Sequence, residues 1–336
     1  MTIGIVGYSC SNGLGELNRQ VVRYCPSVTK WRIKPHRDLG HVPPERTLDF
    51  DVSASGVPAR FFNAIDTVLF FETEFYPGLV REAKKFGNRV VCVPMIEWSP
   101  MWASRTDPKA WIGDVDLFIC PTKQCYDLLH ADGFPCRYFA WPFDMERFPY
   151  RERSMCQRFL FVEGNGGYNG RKGVDVMNRA KELWPEMPLV VYSLMTDGAK
   201  KWPNGTDVIE GSVVDNRNVY DQGDVLIYPA TCDGIGLQPF EAMSQGMPVI
   251  VTSGQPWDEN DAIARIRSTV EPYTSGKGRV IPWHVADAEH LVEICKGLAG
   301  NFIGNESQLS FEYAKERAWP KSADAFERLV VSGKPD

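Results

Sequence analysis

Long apolar runs are missing from this sequence of 336 residues. Stretches such as TVLFF at 67–71 and PVIV at 248–251 fall far short of the ~20 residues that a membrane helix needs. The opening MTIGIVGYSCSNG lacks the charged start and long apolar core of a signal peptide, which points to a soluble, cytoplasmic protein. Also missing are a CxxC pair and any histidine at zinc-ligand spacing. The nine cysteines are scattered and odd in number, and they read as free thiols of a reducing compartment. None of the five histidines sits in a motif. An excess of positive charge is absent as well: 37 Lys and Arg stand against 43 Asp and Glu, for a net charge of -6. Residues 1–150 hold 17 basic and 17 acidic side chains, so the remaining 20 and 26 carry the whole deficit. A domain built as a whole to bind nucleic acid is usually basic throughout, and this one is not.

What the chain does hold is ample apolar material, 43% hydrophobic and 12% aromatic residues, and a length that favours two domains. Short β-branched runs alternate with helical periods, the pattern of parallel sheets covered by helices. The first series of strands is IGIVG, DTVLFF, RVVCV, DLFIC and CRYFA, with helices at GELNRQVVRYC, PGLVREAKKFG and KQCYDLLHADG. A second series runs RFLFVEG, PLVVYS, DVIEG, DVLIYPA, PVIVTS and RVIPW, with helices near 173–183, 236–245, 258–267 and 287–299. Between them lies WPFDMERFPYRERSMCQ at 141–157, rich in proline and charge and without a sustained period. The expected architecture is therefore α/β, with two Rossmann-like parallel-sheet domains, 1–150 and 151–317, facing a central cleft. Such sheets bind ligands at the carboxyl ends of their strands.

Three loops have the composition to meet an anion at a helix start. GYSCSNGLGELN follows the first strand, and Gly13 and Gly15 would let backbone approach a phosphate or an acceptor. EGNGGYNGRKGVDVMNRA, residues 163–180, places Arg171 and Lys172 just before a helix: Arg can chelate two oxygens, and Lys acts as a mobile point charge. TCDGIGLQPFEAMSQGMPVIVTS, residues 231–253, exposes the amides of Gly234, Ile235, Gly236 and Leu237 in a turn, with Asp233 before it and Glu241 one helical turn in. Acids held ionised near a helix N-terminus accept hydrogen bonds from hydroxyls. A ligand with a phosphate for the amides and hydroxyls on either side for the acids is a nucleoside diphosphate sugar.

The last stretch, with GNGGYNGRKGVDVM and WPFDMERF, resembles the donor-binding half of retaining GT-B glycosyltransferases of family 4, whose signature is E-x7-E. The resemblance covers most of residues 137–300 and thins out before them. It implies a hexosyltransferase that retains anomeric configuration, the leaving diphosphate assisting the acceptor's attack on the same sugar face, and that needs neither metal nor cofactor. The donor would be UDP- or GDP-linked. By position, Arg171 and Lys172 would hold the diphosphate, Glu241 the ribose hydroxyls, and Asp233 the sugar hydroxyls with the amides of residues 235–237. Asp233 is one methylene shorter than the glutamate of the family, and Arg171 and Lys172 are adjacent where the family commonly separates them.

The acceptor (a glycan, a lipid, a small molecule or modified nucleic acid) is left open by the first half. Glu97 is the leading candidate for a general base there, with Glu72 and Glu74 as alternatives. The run Arg19, Arg23, Lys30, Arg32, Lys34, Arg37 and Arg46 outnumbers its acids and keeps nucleic acid in view. The motifs DFD at 49–51 and DVD at 114–116 superficially resemble a metal-binding DxD and read as structural. A final segment, 318–336, would pack back on the first domain through Trp319 and Phe326, with a helix break at Pro320. A non-catalytic module that binds a nucleotide sugar, or an epimerase on the same architecture, are the competing readings.

Overall fold

The computed structural model describes residues 1–36, 40–96, 111–164, 170–194, 201–211, 216–274 and 280–334. The chain divides into two compact units: Met1–Trp141 with Thr274–Arg279 and Trp319–Asp336, and Pro142–Tyr273 with Val280–Ala318. The division thus falls at the start of the 141–157 stretch, ahead of residue 150. Aromatic side chains explain the position. Phe143 stacks on Phe240 at 4.5 Å and its N–H donates to Arg317 O at 3.0 Å, while Phe148 packs edge-on against Tyr220, so both belong to the second unit's interior.

In the first unit the strands are β1 (Ile3–Gly7), β2 (Val28–Ile33), β3 (Asp49–Val52), β4 (Thr67–Phe71), β5 (Arg89–Val93), β6 (Leu117–Cys120) and β7 (Cys136–Tyr138). They form one sheet in the order β3-β2-β1-β4-β5-β6-β7, every pair parallel. The central strands are buried on both faces, which is why TVLFF and LFIC are unbroken apolar runs. The helices are α1 (Gly13–Tyr24), α2 (Ala59–Phe62), α3 (Leu79–Lys85) and α4 (Lys123–Ala131), joined by α9 (Trp319–Ser332) from the C-terminus. Strands β2 and β3 escape a search for apolar runs: VTKWRI carries cations at alternate positions, and DFDV is an exposed edge whose Asp49 and Asp51 pair with Lys30 and Arg32.

The second unit repeats the plan. Strands β8 (Phe159–Gly164), β9 (Leu189–Ser193), β10 (Asp207–Glu210), β11 (Val225–Tyr228), β12 (Val249–Thr252) and β13 (Ala264–Ile266) give the order β10-β9-β8-β11-β12-β13, again all parallel. A two-stranded sheet, β14 (Ser268–Thr274) and β15 (Val280–Ala286), stands beside it, with α5 (Val174–Leu183), α6 (Leu237–Ser244), α7 (Ala288–Leu298) and α8 (Gly304–Glu316). The core centres on Phe159, Phe161, Met177, Val191, Ile227, Ile250 and Leu291.

Two expected features differ. No helix spans 258–267: Trp257–Glu259 is a single 3-10 turn, and Ala264–Ile266 extends the sheet as β13 beside β12. Pairing with an exposed strand edge overrides the helical period of so short a segment. The break near the C-terminus lies at residues 317–318, because Pro320 falls in the first turn of α9, where its missing N–H costs nothing. Among the described residues no helix is long and apolar enough to cross a membrane.

Candidate functional site

In both sheets the strand order reverses beside the first strand, between β1 and β4 and between β8 and β11, and ligands of such sheets gather at the carboxyl ends there. In the second unit the loops leaving β8 and β11 are tied to each other. Thr231 N–H and its hydroxyl both donate to Arg171 O, at 2.8 and 3.2 Å. Gly173 opens α5 at φ 75°, and a Cβ there would lie 2.1 Å from Pro229 O, so only glycine lets the two loops approach so closely.

This contact brings together residues 61 and 62 positions apart. Arg171 Nη1 lies 2.9 Å from Asp233 Oδ1, and Lys172 Nζ lies 2.6 Å from Asp233 Oδ2. Tyr228, the last residue of β11, completes the group: its hydroxyl accepts from Lys172 Nζ at 2.8 Å and donates to Asp233 Oδ2. The Gly234 amide donates to the other carboxylate oxygen at 3.0 Å. Burial pushes the pKa of Asp233 up, but Lys172 and Arg171 outweigh it, and the carboxyl is held well below the usual range. Asp233 is therefore an anion at any physiological pH.

Glu241 is fixed separately. It lies on α6, buried, with Oε1 accepting from Asn216 Nδ2 at 2.9 Å and Oε2 accepting from the Tyr220 hydroxyl. Arg147 Nη2 in turn holds Asn216 Oδ1 at 2.9 Å. Burial, and then the charge of Glu241, push the Tyr220 hydroxyl well up, so it stays a donor. The two helices that follow these loops start without a side-chain cap, as α2, α3 and α8 also do. Side chains of Asn12, Thr122 and Asp287 cap α1, α4 and α7, whereas α5 and α6 start after left-handed Gly173 and Gly236 with no side-chain cap. Behind the turn, Gly236 faces the fully buried Trp257, whose ring meets His284 edge-on. Burial lowers the pKa of His284 and favours its neutral form.

Compared with known proteins, the chain matches no family model, and no curated protein matches its sequence. Solved structures match it in fold. Anabaena HepE in complex with UDP and glucose superposes with a TM-score of 0.70 over 99% of this chain and 100% of that one, at 11% identity. The lipopolysaccharide outer core galactosyltransferase WaaB, in its apo form, gives 0.65 over 99% and 100%, at 15% identity. The fold is GT-B. A Listeria monocytogenes protein described as a UDP-N-acetylglucosamine 2-epimerase also matches, with a TM-score of 0.57 over 99% and 97% at 12% identity, so GT-B by itself does not choose a reaction.

Within this GT-B chain several of the other expected residues make contacts within their own unit, and some lie outside the described residues. Gly13 and Gly15 are in the first unit at the start of α1; a Cβ on Gly15 would fall 2.1 Å from Cys10 O, so that glycine serves close packing of its own loop. Glu97 lies outside the described residues. Glu74 accepts from the amides of Gly78 and Val80 at 3.0 and 3.3 Å and fastens the turn into α3. Asp116 is engaged by Lys84 at 2.7 Å and by the Val90 amide at 2.7 Å, which accounts for DVD. The basic run spends its charge internally: Arg19 pairs with Glu16, Arg23 with Glu45, Lys30 with Asp49 and Arg32 with Asp51, Lys34 donates to Phe75 O, and Arg46 donates to carbonyls at Val22, Cys25 and Val28. Arg37 lies outside the described residues. Sequence reading missed Tyr228, Tyr220, Asn216 and Arg147. Only Tyr228 carried a signal, as a polar tip at the end of an otherwise apolar strand.

Proposed function

We propose that this protein is a glycosyltransferase that moves a hexose from a nucleoside diphosphate sugar to an acceptor hydroxyl with retention of configuration and without a metal ion. The observation that carries this reading is the convergence of Arg171 and Lys172 on Asp233 in front of two helix starts that no side chain caps. Two cations beside helix N-termini that carry no side-chain cap suit a diphosphate. Two buried carboxylates, each braced by a tyrosine, suit hydroxyls: Asp233 those of the sugar and Glu241 those of the ribose. In the reaction the acceptor oxygen bonds to the anomeric carbon as the bond from that carbon to the diphosphate breaks, and the acceptor's proton passes to the departing diphosphate. Lys172 and Arg171 lower the barrier by stabilising the charge that develops on the leaving group.

The donor is UDP- or GDP-linked in this reading, in keeping with the UDP and glucose held by HepE. A module that binds such a donor without transferring it is the second reading, favoured by the full engagement of Asp233 with Arg171, Lys172 and Tyr228. The test is a panel of UDP, GDP, ADP and TDP sugars with wild type and Glu241→Ala, read by thermal stabilisation and by diphosphate release. A ligand of the native state raises apparent stability by mass action. One donor should stabilise the wild type, be slowly hydrolysed, and lose both effects in the variant. Stabilisation without any release selects the binding module, and failure of every donor to stabilise removes the reading altogether.

A further inference from the structure

The group around Asp233 is complete before any ligand arrives. A carboxylate offers about four acceptor positions on its two oxygens. Four donors occupy them here: Arg171 Nη1 at 2.9 Å and the Gly234 amide at 3.0 Å on Oδ1, Lys172 Nζ at 2.6 Å and the Tyr228 hydroxyl on Oδ2. In this arrangement Asp233, with its side chain 9% exposed, has no acceptor position left for the sugar hydroxyl that the transferase reading gives it.

The four donors are not equally replaceable. The Gly234 amide belongs to a buried turn, and Tyr228 is packed at the end of β11 with 1% of its surface exposed. Arg171 and Lys172 reach solvent more, with 22% and 15% of their side chains exposed, and each carries its charge on a long flexible stem. The backbone of Arg171 is pinned, since the N–H and the hydroxyl of Thr231 both donate to its carbonyl, so a change of partner is a swing of the side chain. An anion that draws two cations off a carboxylate needs more charge and more acceptor oxygens than the carboxylate has. A diphosphate has both. Until it arrives, Asp233 cancels part of the positive charge that it would meet.

We propose that Asp233 is a built-in competitor for the diphosphate: it holds Arg171 and Lys172 in the free protein and yields them when a diphosphate binds, which opens its own oxygens to sugar hydroxyls. This rests on the diphosphate-sugar reading above. The sugar is then read only after the diphosphate is seated, so the site distinguishes a hexose linked to a diphosphate from the free hexose. The full engagement of Asp233 is the resting state of the site.

The test titrates inorganic pyrophosphate by calorimetry into the full-length chain as wild type, Asp233→Asn, Asp233→Ala and Asp221→Asn. Pyrophosphate carries neither sugar nor ribose, so it reads the competition alone. Both Asp233 variants should bind it about tenfold or more tightly than the wild type, the change expected when a hydrogen-bonded charge stops competing. Asp221→Asn, which removes an acid of the same unit paired with Arg151, should bind it as the wild type does. A merely structural Asp233 would predict the opposite, a weaker site. Where an Asp233 variant is too unstable to titrate, the rise of its thermal midpoint with pyrophosphate gives the same comparison by mass action. Pyrophosphate binding that is equal or weaker in both Asp233 variants overturns the proposal, and the donor reading stands if UDP or GDP still stabilises the wild type. If no protein binds pyrophosphate the proposal falls, and if UDP and GDP also leave the wild type unchanged the donor reading falls with it.

Discussion

At the scale of single residues, the donor-type group depends on one hydroxyl that no motif announces. Tyr228 accepts from Lys172 and donates to Asp233, and so sets the distance between the cation that would meet phosphate and the acid that would meet sugar. Tyr228→Phe keeps the buried ring and removes the bridge. Its expected effect is a nucleotide affinity lower by about tenfold, measured by calorimetry, with the thermal midpoint little changed, because the phenyl ring still fills the space. Asp233, Glu241, Arg171 and Lys172 stood out in the sequence because their types and spacing suggest chemistry directly. Tyr228, Tyr220 and Asn216 were not, since a tyrosine at a strand end or an asparagine in a short turn has many uses and only its neighbours reveal which one applies.

Elements position these side chains through close backbone approaches. The start of α5 touches the exit of β11 at Gly173, where the left-handed φ and the contact with Pro229 O both exclude a side chain. Gly173→Ala should therefore cost at least ~2 kcal/mol, from backbone strain added to overlap, and should shift the denaturant midpoint without changing the slope of the transition. Among the expected elements, strands that are buried on both faces were readable as apolar runs, and helices with polar caps as periods ended by glycine. The segments that misread were those whose state is set by what lies beside them. β2 and β3 hide behind ion-paired alternate positions, and 258–267 has a helical period but completes a sheet edge.

For the whole molecule, the two units share one strand order through six strands, and the chain ends by adding α9 to the first of them. Trp319 is fully buried there, stacked on Tyr24 at 5.5 Å, edge-on to Trp141 and Phe326, with Nε1 donating to Gln20 Oε1 at 3.2 Å. Trp319→Ala should cost roughly 3–5 kcal/mol, read by thermal or denaturant unfolding, and should destabilise the first unit in preference to the second. The sequence by itself determined the class of architecture, two parallel sheets with helices between strands, because hydrophobic period and turn residues act locally. It also singled out Asp233, Glu241, Arg171 and Lys172 as the acids and cations of a candidate site, because those types at helix starts have few other uses. Only the tertiary structure decided that Arg171 and Lys172 meet Asp233, that Glu74 fastens a turn while Glu72 has a left-handed backbone, and that Arg19, Arg23, Lys30 and Arg32 of the basic run are paired with acids. Pairings across many tens of residues depend on the packing of whole strands, and neither spacing nor composition encodes them.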